Sequence, residues 1–237
     1  MSEWGTLVKL LEKDGFKILR VKKWHTFDYQ EAKYGTAEVK KKPRSGLYLM
    51  ERVNGYDLCF IEKPLLMTHL YVDGRPVMVD YPLTYYGMKL LAEASEGHVL
   101  TAGLGLGLYT IFLQQNPKVE SVTVVEINSD IKHLISPMIS KYIVKPTEII
   151  VGDIFDYVDE AGNYDTIMLD IWTPRKSDGD PYDEMMNAYA IFRGANPNAK
   201  IYVWGMRNPR LNPAVGELDS KYMKLLKNVS ITPMEDD

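Results

Sequence analysis

Three glycines and three carboxylates carry the chemistry that this sequence can offer. Val99-Leu100-Thr101-Ala102 is a short apolar run that leads straight into Gly103-Leu104-Gly105-Leu106-Gly107. In a parallel sheet, ligands bind beyond the carboxyl ends of the strands. Glycines at such an end let the backbone turn sharply and approach a ligand closely. The spacing is G-x-G-x-G. The dinucleotide fingerprint G-x-G-x-x-G needs a glycine at position 108, where Leu108 stands. A pyrophosphate needs that wider loop, whereas a nucleoside without phosphate does not.

The carboxylates follow at the ends of the next strands. Glu126 closes Ser121-Val122-Thr123-Val124-Val125, with Ile127 next to it. An acid there can accept hydrogen bonds from both hydroxyls of a ribose. Asp153 follows the next strand in Val151-Gly152-Asp153-Ile154-Phe155. Its carboxylate can accept from an adenine amino group, with Ile154 packing on the ring. Asp170 ends Tyr164-Asp165-Thr166-Ile167-Met168-Leu169. Singly, each acid also fits a solvated strand end or a helix cap. Three of them at successive strand ends, in step with the glycine loop, converge on one crevice.

The elements that must position these residues alternate. Thr84 to Ala94 is helical, His98 to Ala102 a strand, and a helix runs from the glycine loop to about Gln115. Ser121 to Glu126 is a strand, Ser129 to Tyr142 a helix, and Thr147 to Val151 a strand. Tyr164 to Asp170 and Lys200 to Trp204 are two more strands. Val122-Thr123-Val124-Val125 and Thr166-Ile167-Met168-Leu169 have little polar alternation, as strands covered on both faces do. Strand and helix in alternation predict a parallel sheet with right-handed crossovers. Val215 to Asn228 is a further helix.

Upstream the pattern differs. Glu3 to Asp14 gathers Trp4, Leu7, Val8, Leu10 and Leu11 on one helical face, ended by Gly15. Gly46 to Val53, Tyr56 to Glu62, Met67 to Val72 and Arg75 to Asp80 are short strands, with tight turns at Asn54-Gly55 and Asp73-Gly74. The expected fold is therefore α/β: a mostly parallel sheet flanked by helices, preceded by a small antiparallel β region. The boundary is expected between residues 83 and 84.

Composition narrows the function classes. Apolar residues make up 46% of the 237 and charged residues 25%, the balance of a globular protein with its own core. The net charge of −4 provides no basic field for nucleic acid. Lys40-Lys41-Lys42-Pro43-Arg44 is read as a solvated loop. One cysteine, Cys59, allows no intrachain disulfide, and the first residues carry no secretory signal, so a cytoplasmic protein is expected. No apolar run is long enough to span a bilayer. His25, His69, His98 and His133 show no metal-ligand spacing.

Taken together, these residues resemble the S-adenosylmethionine-dependent methyltransferases with the Rossmann-like fold, and within them the spermidine synthase branch. Val72-Asp73-Gly74 matches that branch's hairpin, and Asp80 through Tyr85-Tyr86-Gly87-Met88 its following segment. The run from Ser121 to Ile127 matches the second strand with the ribose-binding acid, and Val151-Gly152-Asp153 the adenine turn. Asp170 stands at the branch's catalytic aspartate. The similarity covers about Leu70 to Trp172.

Several residues depart from that pattern. Leu106 stands where aminopropyltransferases carry an aspartate, Gly87 where they carry a glutamate, and Thr173 lacks the second acid of D-x-x-D. Those acids grip amines. The resemblance thus implies an S-adenosylmethionine-dependent methyltransferase acting on a small-molecule acceptor. Gly103, Gly105, Gly107, Glu126, Ile127, Asp153, Ile154 and Asp170 would hold the cofactor. Asp170 would be the acid–base or acceptor-orienting group, or equally would bind the donor's amino group, with Tyr85 as an acceptor-side candidate.

The alternatives are aminopropyl transfer, a nucleoside-binding module without catalysis, and a nicotinamide oxidoreductase, against which Leu108 speaks. Residues 174–184 form a polar loop expected to overhang the crevice, with Asp180 as a helix cap before Pro181. Tyr81, Tyr86 and Trp172 are further acceptor-side aromatics. No membrane or nucleic-acid partner is expected, and a homodimer is compatible with the sequence.

Overall fold

The computed structural model describes residues 3–16, 18–24, 26–52, 55–171 and 182–204. The helix expected at 215–228, Trp172, and residues 174–181 lie outside them. Helix α1 (Glu3–Lys13) buries Leu7, Val8 and Leu11 and stops at Gly15, whose φ is 89°. Strands β1 (Ile18–Arg20), β2 (Ala32–Tyr34), β3 (Ala37–Arg52), β4 (Gly55–Val72) and β5 (Arg75–Val79) form one sheet. Its order is β1-β4-β3-β2, with β5 also on β4. All pairs are antiparallel except β1 with β4. The turn into β5 has positive φ at both Asp73 and Gly74, as a tight right-twisted hairpin requires.

This sheet departs from the sequence expectation in two places. The basic run is not a loop: Lys40 to Arg44 lie inside β3, paired with Leu65 to His69 of β4. The two strands expected from Tyr56 to Val72 are one, interrupted only by a register shift where Glu62, Lys63 and Pro64 face Ser45. Neither proline breaks the sheet, because each stands where one strand edge is open. Pro43 lies beyond the end of β2, and Pro64 lies between the stretches of β4 that pair with β1 and β5. The cations are accommodated along aromatic surface. The Lys40 and Lys42 ammonium groups lie 5.7 and 4.8 Å from the centre of the Tyr71 ring.

The second half comprises α2 (Pro82–Ala94), β6 (Gly97–Ala102), α3 (Leu108–Gln115), β7 (Val119–Glu126), α4 (Ser129–Ile139), β8 (Thr147–Val151), β9 (Thr166–Leu169), α5 (Tyr182–Ala195) and β10 (Lys200–Val203). The expected helix to Tyr142 ends at Ile139, and its last turn tightens to 3-10 geometry. All five strands are parallel, in the order β10-β9-β6-β7-β8. This is the Rossmann-like arrangement, and strand order reverses between β6 and β9. Ligand crevices open at that reversal, beyond the carboxyl ends.

Both faces of the sheet are covered, which explains the unbroken apolar runs. Val99, Val122, Val124 and Met168 face α3 and α4, while Leu100, Val125, Ile167 and Leu169 face Phe192 of α5. The first of these clusters also takes in Tyr29, Ala37, Val39 and Leu70, upstream of residue 84. Phe27 lies 5.5 Å from Phe112 and 5.1 Å from Tyr142, ring centre to ring centre. No helix among the described residues is long and apolar enough to cross a membrane.

Candidate functional site

The carboxyl ends of β6, β7, β8 and β9 are tied together by backbone bonds beyond the strands themselves. Gly103 N–H donates to the Val125 carbonyl at 2.9 Å, Asp170 N–H to Ala102 at 3.0 Å, and Gly152 N–H to Glu126 at 3.1 Å. The glycine loop, Glu126, the Asp153 turn and Asp170 therefore meet at one rim.

Gly103, Gly105 and Gly107 all have positive φ, the region that other residues avoid. In this structure the space that a side chain would need at each of them is taken by protein. A Cβ on Gly103 would run into the Asp170 carbonyl oxygen. One on Gly105 would stand 2.5 Å from the sulfur of Met78, and one on Gly107 would press on Ile139. Helix α3 starts immediately afterwards, and its first residue, Leu108, is wholly buried.

Glu126 is buried at this loop. Its Oε2 accepts the Leu104 N–H at 2.7 Å and its Oε1 the Asn128 N–H at 2.9 Å. Burial pushes its carboxyl up, opposed by the backbone N–H groups of Asn128, Leu104 and Gly105. A carboxylate accepts at about four lone-pair positions, and three backbone N–H groups leave capacity there for a ligand. Asn128 in turn caps α4 through Asp130 N–H at 2.8 Å, which fixes the turn after β7.

Asp170 carries the strongest electrostatic signal at the rim. Burial pushes its carboxyl up to about 7, with the negative charge of Glu126 adding to the effect. Among the described residues, nothing hydrogen-bonds that carboxylate. A carboxyl that titrates near neutrality beside a crevice can take and return a proton.

Asp153 caps the 3-10 turn Ile154–Tyr157, its Oδ1 accepting the Phe155 N–H at 3.0 Å. The expectation that Ile154 packs on a base needs correction. Ile154 points into the core with Leu100, Ala102 and Val125, because the tight turn sends it under the sheet. The exposed apolar groups at this rim are instead Ile127, 74% exposed, and Phe155, 41% exposed, with Val151 and Ile171 beside them. The only sign of Phe155 in the sequence is its place after Asp153-Ile154.

Tyr85 is in an aromatic cluster, its ring 5.5 Å from Trp24 and 5.0 Å from Phe112. Burial, with Tyr86 and Asp80 adding, pushes its hydroxyl up. Tyr86 joins the same cluster, 5.2 Å from Tyr85, and Tyr81 packs against Tyr48. Two residues with no motif to mark them, Tyr29 and Met78, touch the glycine loop directly at Leu106. Among the described residues, no three His, Cys, Asp or Glu side chains are grouped to hold a metal ion.

No family model matches this chain, and no curated protein matches it by sequence. Solved structures do. A spermidine synthase from Thermotoga maritima aligns over 76% of this chain and 62% of its own, at 16% identity and a TM-score of 0.43. A spermidine synthase in complex with the transition-state analogue AdoDATO aligns over 76% and 64%, at 17% identity and a TM-score of 0.43. Human methyltransferase-like protein 13, in complex with SAH, aligns over 56% and 65%, at 16% identity and a TM-score of 0.34. The chain thus spans less than two thirds of the length of each. Likeness at this level concerns the course of the chain and does not choose a reaction.

Proposed function

We propose that the crevice binds S-adenosylmethionine and that the protein transfers its methyl group to a small-molecule acceptor. One observation carries the nucleoside reading. Helix α3 begins at the buried Leu108, directly after Gly107, while Glu126 is anchored to the same loop through Leu104 N–H. This leaves a short turn with no extra residue to wrap a pyrophosphate, and an acid beside it with accepting capacity to spare for the ribose.

In this reading Glu126 holds the ribose and Asp153 uses its free Oδ2 on the base. Ile127 and Phe155 cover the ring faces. When bound, the donor supplies an electrophilic methyl on a sulfonium. The chain's task is to align an acceptor with it and to keep water out, an effect of several kcal/mol on the barrier. Asp170 accepts the proton that the acceptor must lose, and its position near neutrality suits that role. Methyl rather than aminopropyl transfer is favoured because Leu106 is wholly buried in the core. It offers no acid for a cationic chain end, and a buried cation without a partner is strongly disfavoured.

The test is thermal unfolding with S-adenosylhomocysteine and, separately, with NAD. S-adenosylhomocysteine at a hundredfold excess over its Kd should stabilise by about 2.7 kcal/mol. No shift at millimolar concentration, or a shift with NAD alone, refutes the reading.

A further inference from the structure

The peptide of Leu106, in the middle of the glycine loop, is held at both ends by the upstream half of the chain. Its carbonyl accepts the hydroxyl of the buried Tyr29 at 2.6 Å. Its N–H donates to the sulfur of Met78 at 3.1 Å. Leu106 is wholly buried, and among the described residues that sulfur is the sole partner of the N–H. A thioether is a weak acceptor, so this donor is poorly satisfied. The same sulfur stands 2.5 Å from the position of a Cβ on Gly105, so it fills the space over the loop's second glycine. Met78 itself is partly exposed on β5. Its side chain is unbranched and soft, with three rotatable bonds, and it can turn aside at little cost.

Resting on the nucleoside reading above, we propose that Met78 is a specificity-determining residue of the crevice. Its thioether covers a polar slot, the Leu106 N–H over Gly105, and a ligand whose chain end bears a carboxylate takes that N–H by turning Met78 aside. The exchange replaces a weak acceptor by a charged one and is favourable. A chain end bearing only an ammonium has no use for an N–H donor. A nucleoside without the chain end leaves Met78 in place. No bond is made or broken in this step; one hydrogen bond is exchanged for another.

The experiment is calorimetric titration of the full chain with three probes: S-adenosylhomocysteine, its decarboxylated analogue, and 5′-methylthioadenosine. Two variants are compared with the wild type. Met78→Ala uncovers the N–H, and S-adenosylhomocysteine should bind about tenfold tighter, with 5′-methylthioadenosine unchanged. Met78→Glu supplies a permanent strong acceptor and a negative charge. There S-adenosylhomocysteine should bind about tenfold more weakly, while the decarboxylated analogue holds or gains. Shifts of opposite sign in the two variants, confined to the ligands with a chain end, are not the mark of a merely structural residue. Should Met78→Ala fail to fold, the ligand order in Met78→Glu decides. Equal shifts for all three probes, or none, overturn the proposal while leaving the nucleoside reading intact. A wild type that binds none of the three overturns both.

Discussion

Changing Asp170 to asparagine should make the protein more stable in mildly alkaline solution while removing its proton acceptor. The Asp170 carboxyl titrates at about 7 in the folded chain, against an ordinary value of 3.8. Between those values the folded protein keeps a proton that the unfolded chain has lost. Stability therefore falls as pH rises through that window, and the penalty is complete above the folded value. A shift of about three units, at about 1.36 kcal/mol each, bounds the penalty near 4 kcal/mol. Asp170 is partly exposed, and solvent screening brings the expected figure to about 2 kcal/mol. Asparagine keeps the shape and cannot ionise. In a chain of this size 1 kcal/mol moves Tm by about 2–4 °C, so Asp170→Asn should melt about 4–8 °C above the wild type near pH 8. Near pH 4 the two should melt together. Scanning calorimetry across that range measures the difference directly. A variant no more stable than the wild type near pH 8, or equally stabilised near pH 4, refutes the reasoning about burial. Binding of S-adenosylhomocysteine should survive the substitution while transfer is lost.

Further outcomes can be measured independently. Glu126→Ala should weaken S-adenosylhomocysteine by about 1.5–3 kcal/mol in calorimetry, since it removes charge-assisted bonds to the ribose and frees the Leu104 N–H; unchanged affinity would mean that the ribose lies elsewhere. Gly103→Ala, aimed at the Asp170 carbonyl, should cost at least about 2 kcal/mol in urea unfolding, whereas Gly162→Ala, with nothing within 4 Å of its Cβ position, should be nearly neutral. Equal effects would show that the loop relaxes freely. Putrescine with decarboxylated donor should give no spermidine by chromatography, and robust formation would promote aminopropyl transfer over methyl transfer. The rate of methyl transfer should rise with pH through about 7 as Asp170 loses its proton, and a flat profile would remove it from the chemistry.

Much of the candidate site's framework was legible in the sequence because it depends on short-range order. A strand followed by glycines and a helix is a local pattern, and β6, the loop and α3 formed as the spacing predicts. Glu126, Asp153 and Asp170 stand at strand ends because apolar runs of that length terminate there. The absence of glycine at 108 was equally readable, and it became the start of a buried helix. What the sequence could not decide depends on partners distant along the chain. Whether Lys40 to Arg44 form a loop or a strand turned on the pairing of β3 with β4 and on the open edges that tolerate Pro43 and Pro64. Whether Ile154 or Phe155 faces the rim turned on the hand of one tight turn against the core. The glycines illustrate the same division. Their type is written in the sequence, but what stands where their side chains would be, the Asp170 carbonyl, the Met78 sulfur and the Ile139 side chain, is brought up by other elements. Tyr29 and Met78 hold Leu106 across separations of 77 and 28 residues, and no local periodicity encodes such contacts. Chain-local physics set the elements and their ends, while only the packing of one half on the other determined what touches the glycine loop.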